Sequence, residues 1–134
     1  ADAKVEYEQI LRLQPDNAIA LNNLDYVIAE HGGDLDVALT YAQRAKQKLP
    51  QSLEVADTLG WIYLKKQLTP NALEIYQDLV SKRPNVSTYR YHLGMALFQK
   101  GDKSQAKKEL EAALRASPSS DEAVKIKEFL ARIG

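Results

Sequence analysis

Few residues in this chain have types and spacing suited to chemistry. His31-Gly32-Gly33 has the composition of a loop whose backbone N–H groups hold an oxyanion, but no Gly-x-Ser-x-Gly turn supplies a nucleophile. Glu30, His31, Asp34 and Asp36 are metal-ligating types, yet their spacing fits neither a zinc nor a calcium site, and a hydrated helix-ending turn has the same composition. His92 lies far along the chain from His31, so no His pair is in place for general acid–base work or zinc. The absence of cysteine removes disulfides, thiolate nucleophiles and Cys-ligated zinc together, and no Gly-rich loop is present to cradle phosphate. Most carboxylates fit solvated helix faces with a cation nearby, as Glu111 and Arg115 do. Lys103, Lys107 and Lys108 likewise fit a solvated face better than a nucleic-acid contact. Asn85-Val86-Ser87 is a glycosylation triplet with meaning only in a eukaryotic secretory setting. Lys plus Arg number 18 and Asp plus Glu number 18, so no global field draws in nucleic acid or an anionic membrane. The expectation is a protein that is not an enzyme and takes no metal or cofactor.

What the chain does offer is large side chains at a regular interval. Tyr26, Trp61 and Met95 recur 35 and 34 residues apart. The same interval governs the elements that would position them, since Pro15, Pro50, Pro84 and Pro118 fall 35, 34 and 34 residues apart. A proline cannot continue the helix before it. Shortly after, Asn17, Ser52 and Ser120 offer side-chain oxygens to the free N–H groups of a new helix. A second break falls inside each unit, at His31-Gly32-Gly33-Asp34, Gln67-Leu68-Thr69-Pro70 and Lys100-Gly101-Asp102. Each unit is therefore two helices, which bury their apolar faces only by stacking on neighbours. With 45% hydrophobic residues in 134, a sizeable core is available. No apolar stretch approaches the roughly 18 residues that would span a bilayer. The opening Ala1-Asp2-Ala3, without initiator Met or signal-like segment, reads as an excised piece or a mature form.

The residues at these intervals resemble the tetratricopeptide repeat (TPR) pattern, W-x2-L-G-x2-Y followed by A-x3-F and P. The second unit carries Leu59, Gly60, Tyr63, Ala72, Tyr76 and Pro84 at its places, with Ala56 for the first Trp. The third carries Leu93, Gly94, Leu97, Ala106, Leu110, Ala113 and Pro118, with Arg90 at the first place, and the first carries Leu21, Leu24, Ile28, Ala38, Ala42, Ala45 and Pro50. The fold class expected from the resemblance is all-α: a right-handed α-solenoid of antiparallel helix pairs, with about eight helices. Residues 1–15 are expected to be the second helix of a preceding repeat, followed by repeats at 16–50, 51–84 and 85–118. Residues 119–134 are expected to form an amphipathic capping helix, with Ile126, Phe129, Leu130 and Ile133 on its apolar side. One residue breaks the pattern. Asp25 stands where the other units have Gly60 and Gly94, against the second helix of its hairpin. Burying a carboxylate there is costly, so the expectation is that the hairpin opens enough for it to reach water or Arg44. The alternative is a lesion that loosens the first unit.

In this family the first helices of successive units line an inner, concave wall, and residues outside the repeat pattern are free to face a ligand there. The resemblance thus implies a groove formed by Asn22, Asn23, Tyr26, Asp57, Thr58, Trp61, Tyr91, His92 and Met95. Its large rings would anchor a partner, and its polar groups would bond a peptide backbone; Trp61 and Tyr26 packed as ordinary core is the competing reading. Family members that grip a terminal carboxylate place Lys, Arg and Asn on these faces. Here the cationic half of that clamp is missing, while Glu54 and Asp57 favour a ligand of apolar and basic character. The expected function is a scaffold binding a protein or peptide partner, with no nucleic acid and no membrane insertion. The alternative is an assembly module that forms homo-oligomers through its open N-terminal helix, where Tyr7, Ile10 or Leu11 would be exposed. The wording of the repeats resembles bacterial tetratricopeptide proteins, which leaves a periplasmic or membrane-associated parent and the cytoplasm both open.

Overall fold

Side-chain caps set where five of the helices begin. The computed structural model describes residues 2–134, apart from the side chain of Asp2; Ala1, the first residue of the expected leading helix, lies outside the described residues. Among the described residues there are eight helices and no strands. They are α1 (Asp2–Leu13), α2 (Ala18–Glu30), α3 (Leu35–Lys48), α4 (Leu53–Lys65), α5 (Thr69–Lys82), α6 (Ser87–Lys100), α7 (Lys103–Arg115) and α8 (Ser120–Ile133). Asn17 opens α2 by accepting from the Ala20 N–H at 3.0 Å, and Ser52 opens α4 by accepting from the Val55 N–H at 3.2 Å. Asp34 and Asp102 do the same for α3 and α7, while Pro70 occupies the first turn of α5, where its missing N–H costs nothing. The cap of α8 is Ser119 rather than Ser120: the extended backbone (φ −61°, ψ 161°) falls at Ser119, whose hydroxyl accepts from the Glu122 N–H at 3.2 Å, and Ser120 is already helical.

The turns inside the hairpins repeat as faithfully as the prolines. Gly32 (φ 73°), Gln67 (φ 58°) and Gly101 (φ 97°) all adopt the left-handed conformation at the same place in the period. Glycine takes it without a Cβ clash. Gln67 takes it at a cost.

The chain separates into two compact units, residues 1–66 and 67–134, with the boundary between α4 and α5 inside residues 51–84. In the first, α2 packs on α1, α3 and α4, and α3 packs on α4. Its core joins Leu21, Ala45 and Val55, with Leu11 and Tyr41 against them. The α3 face is all small, with Ala38, Ala42 and Ala45 fully buried, which lets α2 come close. In the second unit α6 packs on α5 and α7, and α7 packs on α8. Leu110, Ala113 and Ile126 are fully buried there, with Phe129, Leu130 and Ile133 of α8 packed against them. The Ser87 hydroxyl donates to the Ala113 carbonyl at 2.9 Å and Arg90 pairs with Glu109 at 2.9 Å, tying α6 to α7.

The pattern glycine on α6 has a steric cause. A Cβ on Gly94 would lie 2.8 Å from Leu110 Cγ and 3.3 Å from the Ala106 carbonyl oxygen, so any larger residue would push α6 off α7. No helix among the described residues is long and apolar enough to cross a membrane.

Candidate functional site

Three helices of the first unit converge on a cleft of about 260 Å³. Tyr7 comes from α1, Asn22, Asn23, Tyr26 and Val27 from α2, and Glu54 and Thr58 from α4. Asn22 and Asn23 follow the core residue Leu21 on α2, and Tyr26 lies one turn beyond Asn22, so the three share the edge of the helix. Asn22 is only 6% exposed, yet its Oδ1 is buried without a hydrogen-bond partner. Thr58 is buried as well, and its hydroxyl donates back to the Glu54 carbonyl at 3.1 Å. Tyr26 is 50% exposed, a large ring left open to solvent. Partial burial raises its hydroxyl pKa, and the negative charges of Glu30 and Asp57 raise it further.

Beside the cleft, Trp61 is half-buried and its indole N–H donates to Glu30 Oε1 at 2.9 Å, joining α4 to α2. The Lys65 ammonium lies 5.0 Å from the Trp61 ring centre, within cation–π range. The first unit therefore brings Asn22, Asn23, Tyr26 and Thr58 around one cleft, with Asp57 and Trp61 next to it. Tyr7 and Glu30 are the contributors that sequence reasoning missed as part of this face. Glu30 follows Tyr26 by four residues, the helical interval that puts both on one side; Tyr7 was expected as an exposed residue of the open N-terminal helix, not as part of this face.

In the second unit the three remaining groove residues sit on α6. His92 lies between Tyr76, at 5.2 Å between ring centres, and Tyr91, at 5.4 Å. Tyr91 is half-buried against the cluster of Leu110, Ala113 and Ile126. Burial raises its hydroxyl pKa, as does Glu122, while Arg132 acts against them. Met95 is half-buried.

The residues first considered for chemistry have structural employment. The His31 backbone N–H closes α2 onto the Val27 carbonyl at 3.1 Å, Asp34 caps α3, and Asp36 pairs with Lys66.

Asp25 departs from both expected means of relief. It is fully buried, neither carboxylate oxygen has a hydrogen-bond partner, and Arg44 is occupied elsewhere. That guanidinium donates to the Pro15 carbonyl at 2.6 Å and pairs with Asp16 at 3.8 Å. Desolvation pushes the Asp25 carboxyl up to about 8, and the neighbouring Tyr26 backbone N–H offsets little of this. The hairpin stays closed because the carboxyl is held neutral. In the third unit Gly94 faces Leu110; at the places equivalent in the repeat the first unit has the larger Asp25 and the smaller Ala42, both fully buried.

Comparison with known proteins agrees with this architecture. The family profile described as tetratricopeptide repeat matches residues 1–52 and 58–124. Among solved structures, a MamA RS-1 double mutant superposes with a TM-score of 0.80 at 18% identity, covering 98% of this chain and 72% of that one. MamA 41-end from Desulfovibrio magneticus RS-1 gives 0.78 at 17% identity, over 99% and 84%. MamA MSR-1 gives 0.76 at 22% identity, over 97% and 72%. At such identities the likeness is one of fold. No curated protein sequence matches the chain. The chain belongs to the tetratricopeptide repeat family of α-solenoid scaffolds for protein–protein interaction.

Proposed function

We propose that the cleft face of the first unit holds a segment of a partner polypeptide, and that the chain acts by binding rather than by catalysis. The observation that carries this reading is the buried, unpartnered Asn22 Oδ1 at the edge of an open ring, Tyr26. An unpaired buried acceptor costs about 1–3 kcal/mol, a cost that a backbone or side-chain N–H from a ligand would remove. Asn23 and Thr58 supply further polar groups, and Trp61 and Tyr26 supply area at low entropic cost. Tyr91, His92 and Met95 are proposed as a separate set of contacts in the second unit, and 16–50, 51–84 and 85–118 as the repeats. A displayed library of random peptides tests the reading. Selected peptides should lose about tenfold in affinity with Asn22→Ala or Trp61→Ala while helicity is kept. Unchanged capture by both variants would refute it.

A second reading is self-assembly through α1, favoured by the exposure of Val5 (50%), Ile10 (39%) and Leu13 (87%) on that helix. Light scattering over a range of concentrations tests it: a strict monomer removes it.

A further inference from the structure

Two acceptors among the residues that line the cleft of the first unit, an amide oxygen and a carboxylate, suit a donor of positive charge. Asn22 Oδ1 is a buried acceptor without a partner. The Glu54 carboxylate stands at the wall on an exposed position, and among the described residues no ion pair includes it. The lining contains no Lys or Arg. Two rings, Tyr7 and Tyr26, come from different helices to flank the space. Glu30 and Asp57 extend the negative field to the Tyr26 hydroxyl, whose pKa both of them raise. Lys65, on the same helix as Glu54 and Thr58, lies over the Trp61 ring, and it shows within the chain the mode in which a cation meets an aromatic ring here.

We propose that this cleft receives a cationic side chain of the partner peptide, an arginine guanidinium in preference to a lysine ammonium; the proposal rests on the peptide-binding reading and names the chemistry of its ligand. A guanidinium carries five N–H donors in a planar fork and no acceptor. With a turn of the Asn22 side chain that brings its buried Oδ1 to the cleft, it bonds that oxygen and the Glu54 carboxylate together while stacking on a tyrosine. A neutral amide has donors for the same oxygens but lacks the charge that strengthens the bond to Glu54. An acidic side chain would meet Glu54, Glu30 and Asp57 with like charge. The volume of about 260 Å³ takes a side chain, not a folded element.

The test uses the full chain, isotope-labelled, titrated with three capped amino acids: N-acetyl-arginine methylamide, its neutral isostere N-acetyl-citrulline methylamide, and N-acetyl-glutamate methylamide. The arginine probe should shift the Asn22 side-chain amide and the Tyr26 ring resonances and bind about tenfold more tightly than citrulline, the order by which charge-assisted bonds exceed neutral ones. Glu54→Gln, a change at an exposed position, should weaken arginine about threefold and weaken citrulline by less, so that the preference for arginine narrows. Citrulline binding as well as arginine, or glutamate binding better, overturns the cationic preference and leaves the peptide-binding reading intact. If no capped amino acid moves Asn22 at tens of millimolar while library-selected peptides do, the cationic proposal again falls alone. Selected peptides that bind without moving Asn22 overturn both.

Discussion

Trp61 on α4 and Glu30 on α2 are joined by an indole N–H bond of 2.9 Å, although they stand 31 residues apart in the chain. The bond fixes the spacing of the two helices whose edges carry the cleft. It also gives a large ring a polar tether, so Trp61 is neither plain core nor a free surface anchor. Since the chain has a single tryptophan, its fluorescence reports on the surroundings of this one indole. Glu30→Ala should shift that emission and lower stability by about 0.5–1.5 kcal/mol in chemical denaturation; an unaltered spectrum would mean that the tether is not formed in solution.

Asp25 predicts an unusual pH dependence. Its carboxyl keeps the proton in the folded state up to about pH 8, whereas the unfolded chain loses it near pH ~3.9. Between these values the folded state binds more protons, so raising the pH favours unfolding, by at most about 1.4 kcal/mol per pH unit from this group. The contribution is fully present below about pH 4 and is lost as pH rises through 8. The difference between the parent and Asp25→Asn isolates this group and is the quantity to follow. Urea melts from pH 4 to 9 should show the variant gaining on the parent as pH rises; parallel curves would contradict the buried neutral acid.

Gln67 predicts a stabilising substitution. Its φ of 58° falls at the place where the other hairpins have Gly32 and Gly101. The left-handed conformation costs a non-glycine residue about 1–2 kcal/mol, and the greater freedom of glycine in the unfolded chain returns part of that. Gln67→Gly should therefore raise stability by about 0.5–1 kcal/mol, read as a higher thermal midpoint.

Ile126 predicts how far the second unit depends on α8. It is fully buried with Leu110 and Ala113, and truncating such a side chain costs about 2–5 kcal/mol. Ile126→Ala should lower the free energy of unfolding by that amount and, because Tyr91 packs on the same cluster, move the Tyr91 ring resonances. A loss below 1 kcal/mol would place α8 outside the cooperative core.

Much of the fold was legible because periodic features set it locally. Pro15, Pro50, Pro84 and Pro118 each follow the end of a helix, and Asn17 and Ser52 cap the helices that come next, so the helix pairs followed from the interval. Two adjacent serines blurred the start of α8, since either can cap and only the backbone conformation decides. Asp25 was legible as an anomaly but not in its outcome. Its counterpart in the repeat is the smaller Ala42, and the pairing of those positions becomes visible only through the contact of Gly94 with Leu110. Of the proposed binding face, the α2 and α4 residues could be read from helical spacing. Tyr91 was read as open, whereas the structure packs it against α8, whose docking the repeat pattern does not describe. The unpartnered state of Asn22 needs three helices in place and has no sequence signal.

The most direct measurement of the central claim is intermolecular NMR contact mapping between the full chain and a library-selected peptide. Binding at the proposed face predicts nuclear Overhauser contacts from the peptide to the Tyr26 ring, the Asn22 side-chain amide and the Thr58 methyl group. Contacts confined to the faces of α1 and α3 remote from that cleft, with these three groups unperturbed, would contradict it.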